Sequence, residues 1–173
     1  ERAGIRIDFG VYVDPEPDLE IYQKMTSFKF PLFYQNRMCE KLFSLHKGEK
    51  IWMGESAGWP LDKKLMSAAT ISTWEIDTGW NAGTFGLQIA SYLGCNNIVF
   101  VGLDNGMENN RELESGEYLV DNLITRRDLT GARDWIEEFI KTKPSSIFTM
   151  PNNGLQVTGA RRCDSWEEAI ERK

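Results

Sequence analysis

The feature that most constrains this chain is the run from Thr78 to Asp104, a small-residue loop, a helix-period segment and an apolar run ending on a carboxylate. Phe85, Ile89 and Leu93 recur every four residues, with Tyr92 beside them, which makes one helical stripe. Gly86 and Ala90 occupy an adjoining face and let such a helix sit close to a sheet. Gly94 is a natural stop, because glycine enters the left-handed region without steric cost. Residues 98–101 form a continuous apolar run, as expected of a strand covered on both faces. The spacing therefore predicts a loop–helix–strand unit whose strand, 97–104, lies centrally in a mostly parallel sheet.

That geometry suits anion binding. The first turn of a helix leaves backbone N–H groups unpaired, and a loop before it can aim them at a phosphate. Gly79 and Gly83 would allow close approach, while Asn81 and Thr84 would supply side-chain hydrogen bonds. The alternative is a tight turn, since a glycine-rich turn alone is weak evidence of a site. Asp104, followed by Asn105, falls where open α/β sheets bind ligands, at the carboxyl end of a strand. It suits a sugar hydroxyl, a metal or a base, and equally a turn cap.

Around this unit, strands are expected at residues 5–13, 28–34, 49–53 and 146–150, and helices at 18–25, 36–45 and 130–142. In the last helix Trp135, Ile136, Phe139 and Ile140 form the buried face. Residues 54–64 read as an irregular loop or lid, and 65–75 as a short helix with an extended lead-in. Residues 105–116 form a polar loop, a common location for function. Ser165 and Glu168 match a capping box that opens a terminal helix. Alternating strands and helices argue for an α/β, Rossmann-like fold, a mostly parallel sheet flanked by helices, in one domain over residues 1–173.

The bulk properties exclude several classes. A net charge of −6 argues against a broad nucleic-acid surface, which needs clustered Lys and Arg. Cys39, Cys95 and Cys163 have no metal-site or disulfide spacing, consistent with reduced thiols and a cytoplasmic setting. No apolar run is long enough to span a membrane.

The central unit also carries a resemblance. Gly79-Trp80-Asn81-Ala82-Gly83-Thr84, then Tyr92-Leu93-Gly94-Cys95, then Ile98-Val99-Phe100-Val101-Gly102-Leu103-Asp104 resembles the core signature of the DUF115 family. That family contains the bacterial motility-associated (Maf) flagellin glycosyltransferases and the archaeal MptE-type 6-hydroxymethylpterin diphosphokinases. Weaker matches flank it, at Ala3-Gly4-Ile5-Arg6-Ile7-Asp8-Phe9-Gly10-Val11-Tyr12-Val13-Asp14-Pro15 and at Gly154-Leu155-Gln156-Val157-Thr158-Gly159-Ala160. The family usually opens with a glycine-rich strand-to-helix turn upstream of Glu1. The expectation is therefore a fold lacking the first strand–turn–helix unit, within a longer chain.

The resemblance implies a glycosyltransferase-type domain that binds a nucleotide sugar, with CMP-linked nonulosonic acid as donor and flagellin or a surface glycan as acceptor. Thr78, Gly79, Trp80, Asn81, Gly83 and Thr84 would hold the donor, and Asp104 with Asn105 would face the sugar, Asp104 as the catalytic group. Asp14 would join the nucleotide site, and Asp14 with Glu16 has the spacing to hold Mg²⁺ through one or two carboxylates. The bland reading of that pair is a solvated turn. The alternatives are ATP-dependent pyrophosphate transfer to a hydroxymethylpterin, or nucleotide and glycan binding without turnover. Asn81-Ala82-Gly83-Thr84-Phe85-Gly86-Leu87-Gln88 is more similar to the bacterial branch. His46, the sole histidine, reads as a residue at a helix C-terminus interacting with its dipole, not as a base. The pairs Arg126-Arg127 and Arg161-Arg162 read as solvated surface, although arginine suits phosphate.

Overall fold

A computed structural model describes residues 6–16, 28–35, 38–53, 60–69, 77, 79–143, 146–150 and 154–171. The chain divides into two compact units, residues 1–77 and 78–173.

The first unit is built on three parallel strands, β1 (Gly10–Tyr12), β2 (Leu32–Tyr34) and β3 (Lys50–Trp52), in the order β1-β2-β3. Helix α1 (Glu40–Leu45) stands between β2 and β3 in sequence, and α2 (Pro60–Ala68) follows β3. Pro60 suits the first helical position, where its missing N–H costs nothing. The segment read as a loop thus becomes helical from Pro60. The expected helix 18–25 and the start of the one expected at 36–45 lie outside the described residues. Val13, Leu32, Leu42 and Met53 form the apolar interior. His46 is buried with them, and its Nε2 donates to the Phe30 carbonyl at 2.8 Å, with its ring against those of Phe28 and Phe30. Its partner is thus a carbonyl sixteen residues away, not the end of α1. Burial is the main reason its pKa falls below 6.5.

The second unit contains α3 (Ala82–Tyr92), β4 (Asn97–Phe100), the short strands β5 (Met107–Glu108), β6 (Glu117–Val120) and β7 (Leu123–Arg126), then α4 (Arg127–Thr142), β8 (Ser146–Thr149), β9 (Arg161–Arg162) and α5 (Trp166–Glu171). β4, β8 and β9 are parallel, with β8 in the middle. Among the described residues β4 pairs only with β8, so β8 and not 97–104 holds the central place. Alternation puts Ile147 and Phe148 on opposite faces of β8. Ile147 packs with Leu87 of α3, Ile136 and Phe139 of α4, and Val157. Phe148 packs with Cys163 and with Ala169 of α5. The sheet is therefore covered by helices on both faces, as a parallel sheet requires.

Two expected details differ. In α3 the buried residues are Thr84, Phe85, Leu87 and Ile89, which lie on more than one side of the helix, while Tyr92 and Leu93 are exposed. Helix α4 starts at Arg127, three residues earlier than its apolar period suggests. The polar stretch after Asp104 leads into a small antiparallel sheet, β5-β7-β6, that the sequence reading did not anticipate. Asp121 and Asn122, at φ 51° and 62°, join β6 to β7. Two consecutive left-handed residues make the hairpin turn whose twist matches its strands. Tyr118 and Thr130 hydroxyls, 2.6 Å apart, tie this hairpin to α4.

Candidate functional site

The start of α3 is organised by its own side chains. Asn81 Oδ1 accepts from the Thr84 amide at 3.1 Å, and Thr84 Oγ1 accepts from the amides of Asn81 and Trp80 at 3.0 and 2.9 Å. This is a reciprocal capping box. Asn81 and Thr84, expected to face a ligand, are thus engaged with each other. The glycines of the loop also have packing reasons. Gly79 has φ +66°, and a Cβ there would fall 2.7 Å from the Thr84 side chain. A Cβ on Gly83 would fall 2.6 Å from Leu103 Cδ1. Trp80 lies over the bare backbone of Gly131 in α4 and remains 48% exposed. What the helix start leaves open are the amides of Ala82 and Gly83, which find no acceptor among the described residues. Thr78 lies outside the described residues.

β4 ends at Phe100, four residues before Asp104. Val101 is 72% exposed and Gly102 has φ +69°, a conformation that breaks the extended ladder. The chain then turns back into the protein. The Asp104 carbonyl accepts from the Leu155 amide at 2.8 Å, and Gly154 packs so closely that a Cβ would lie 2.0 Å from that oxygen. The Asn105 carbonyl accepts from Thr125 Oγ1 at 2.9 Å. The dipeptide is thereby clamped by the 154–155 segment on one side and β7 on the other. The Asp104 side chain is half-buried, and its carboxylate has no hydrogen bond or ion pair among the described residues.

Asn105 is the sharpest anomaly of the site. It is 4% exposed, sits at φ 52°, and neither Nδ2 nor Oδ1 has a partner. An unmade hydrogen bond at a buried polar group costs about 1–3 kcal/mol. Strain and unsatisfied groups of this kind concentrate where ligands bind.

A cavity of about 150 Å³ opens beside this corner, walled by Leu103, Thr149, Gly154, Leu155, Val157 and Arg162, among others. Thr149 and Arg162 end β8 and β9, and Leu103 follows β4, so the cavity occupies the carboxyl edge of the parallel sheet. Leu103 also touches Gly83, which puts the start of α3 one side chain away. Arg162 is exposed, as the sequence suggested, and it also lines this cavity. The other basic pair stays at the surface, with Arg126 bonded to Asp128 at 3.2 Å.

Asp14 and Glu16 belong to the turn after β1 in the first unit, both exposed. Asp14 Oδ1 accepts from the Glu16 amide at 3.0 Å, the hydrogen bond of a turn cap. No group of three potential metal ligands occurs among the described residues.

Residues 1–110 match the family model described as 6-hydroxymethylpterin diphosphokinase MptE-like. The chain belongs to this MptE-like family. The matched stretch includes the α3 capping box, β4, Leu103 and the Asp104–Asn105 dipeptide, and stops before the hairpin, α4 and the cavity walls from Thr149 onward. Among solved structures, the chain is similar to the Maf glycosyltransferase from Magnetospirillum magneticum AMB-1, with a TM-score of 0.70 and 15% identity. The similarity covers 94% of this chain and 27% of that one, and at this identity it concerns the fold. No curated protein matches the chain. No helix among the described residues is long and apolar enough to cross a membrane.

Proposed function

We propose that this chain is the donor-binding part of a glycosyltransferase that takes a nucleotide-activated sugar, with a CMP-linked nonulosonic acid as donor and a protein such as flagellin, or a surface glycan, as acceptor. The observation that carries the reading is Asn105, whose buried, unpartnered amide is held in a strained conformation beside Asp104 past the carboxyl end of β4. In this reading the amides of Ala82 and Gly83 take a donor phosphate, and the exposed part of Trp80 stacks on the base or sugar. Asp104 takes the proton of the acceptor hydroxyl as its oxygen bonds the anomeric carbon, and the donor phosphate leaves with the bonding electron pair. The fold likeness over 94% of the chain supports this, because it extends well beyond residues 1–110, into the part of the chain that the family model leaves out.

The family model favours a second reading, transfer of pyrophosphate from ATP to a hydroxymethylpterin, assisted by Mg²⁺. Titrating the full-length protein with CMP, CDP and CTP in one series and ATP with Mg²⁺ in another separates the two. The first reading expects a cytidine nucleotide to bind more tightly than ATP and the binding to need no pterin. Preference for ATP, with AMP released on adding a hydroxymethylpterin, would decide for the second.

A further inference from the structure

Arg162 is an exposed residue that lines the cavity, and it forms no ion pair among the described residues. In a chain of net charge −6, this cavity has no acidic residue in its lining. The placement follows from sheet register. Thr149 and Arg162 are paired residues of parallel neighbours, and paired residues point to the same face. Arg161 pairs with Phe148, so alternation sends it to the opposite face. The Cys163 amide holds the Thr149 carbonyl at 3.1 Å, which fixes the strand end that carries both side chains. A hydroxyl-bearing residue and one that carries a planar five-donor fork thus share the face of the sheet that lines a space of about 150 Å³. That volume suits a single ring or a phosphate, and is small beside whole-ligand pockets of roughly 300–1,000 Å³.

The geometry points to an oxyanion subsite here, in which Arg162 is the cation that binds a phosphate or carboxylate of the substrate and Thr149 donates a further hydrogen bond. The cavity shares Leu103 with the start of α3, so the inference rests on the donor-binding reading above and adds the residue that takes the donor's charge.

The test uses the full-length protein and two matched probe pairs. Cytidine monophosphate against cytidine isolates a phosphate, and N-acetylneuraminic acid against its methyl ester isolates a carboxylate. Wild type is expected to prefer the charged member of at least one pair by roughly tenfold or more, as hydrogen bonds to charged groups allow. Arg162→Ala should abolish that preference, Arg162→Lys should retain part of it, and Arg161→Ala should leave it intact. The pair that responds names the group. Arg162→Gln serves if the alanine variant is not folded by circular dichroism. If the charge preference survives in Arg162→Ala or Arg162→Gln, the subsite is overturned while nucleotide binding stands. If wild type binds none of the probes, both readings fall together.

Discussion

Asn105 and Asp104 divide two roles between adjacent positions. The backbone of each is held by a distant partner, Leu155 for Asp104 and Thr125 for Asn105, so their side chains are free for other uses. Asp104→Asn removes the charge and keeps the shape. If its carboxylate acts chemically, turnover should fall by roughly a hundredfold or more while the melting temperature hardly moves. Asn105→Gly removes two unsatisfied groups and relieves the left-handed backbone. We expect a melting temperature unchanged or raised, with ligand affinity reduced at least tenfold. Thermal denaturation and titration on the same protein check this. A fall of many degrees would mean that the amide supports the fold and not a ligand.

At the scale of elements, two contacts hold the corner together. The capping box fixes the entry to α3, so Asn81→Ala should cost about 1 kcal/mol of stability by chemical denaturation. The contact of Gly154 with Asp104 is tighter, because a Cβ would meet main-chain atoms that cannot rotate away. Gly154→Ala should therefore cost about 1–3 kcal/mol or more, and lower turnover beyond what the stability loss explains, since Asp104 must shift. Equal activity in folded variant and wild type would separate the 154–155 segment from the chemistry. The polar stretch before β6 is likewise pinned. Arg111 bonds both Glu117 oxygens at 2.8 Å, and the Glu114 amide bonds one of them at 2.8 Å. These contacts pull the Glu117 pKa down to about 2.

Across the whole molecule, two of the shifted groups, His46 and Glu117, act in different pH windows below neutrality. His46 is buried and its pKa lies below 6.5, so the unfolded chain takes up a proton that the folded first unit refuses. Its contribution is full above pH 6.5 and is lost as pH falls from there towards the folded-state value. Glu117 contributes above pH 4.5, and that contribution is lost as pH falls towards 2. Denaturation series from pH 8 to 3 should thus show two successive declines, the first flattened in His46→Gln and the second in Arg111→Ala. A first decline unchanged in His46→Gln would assign it to another group.

The sequence by itself determined the features that depend on neighbours in the chain. The helical period around Phe85 and Ile89, the stop at Gly94, the apolar run of β4 and the amphipathic α4 were all legible, and with them the α/β class and the family. The Ser165 cap was legible too, and its hydroxyl accepts from the Glu168 amide at 3.2 Å, although the Glu168 carboxylate reaches the Asp164 amide instead of the Ser165 one. The hairpin had a readable signal, Asp121-Asn122 between two apolar-bearing segments, which the polar character of the preceding stretch hid. Only the tertiary structure decided who meets whom. Gly154 lies fifty residues from Asp104 in sequence, and Thr149 thirteen from Arg162, yet each pair is in contact or in register. Periodicity reports which face of an element is apolar, and nothing in it names the residue that will cover that face. The register between β8 and β9 put one of two adjacent arginines on the face that lines the cavity, and the close approach of Leu103 gave Gly83 a reason to lack a side chain. Those are non-local contacts, set by how the sheet closes and packs, and no spacing along the chain encodes them.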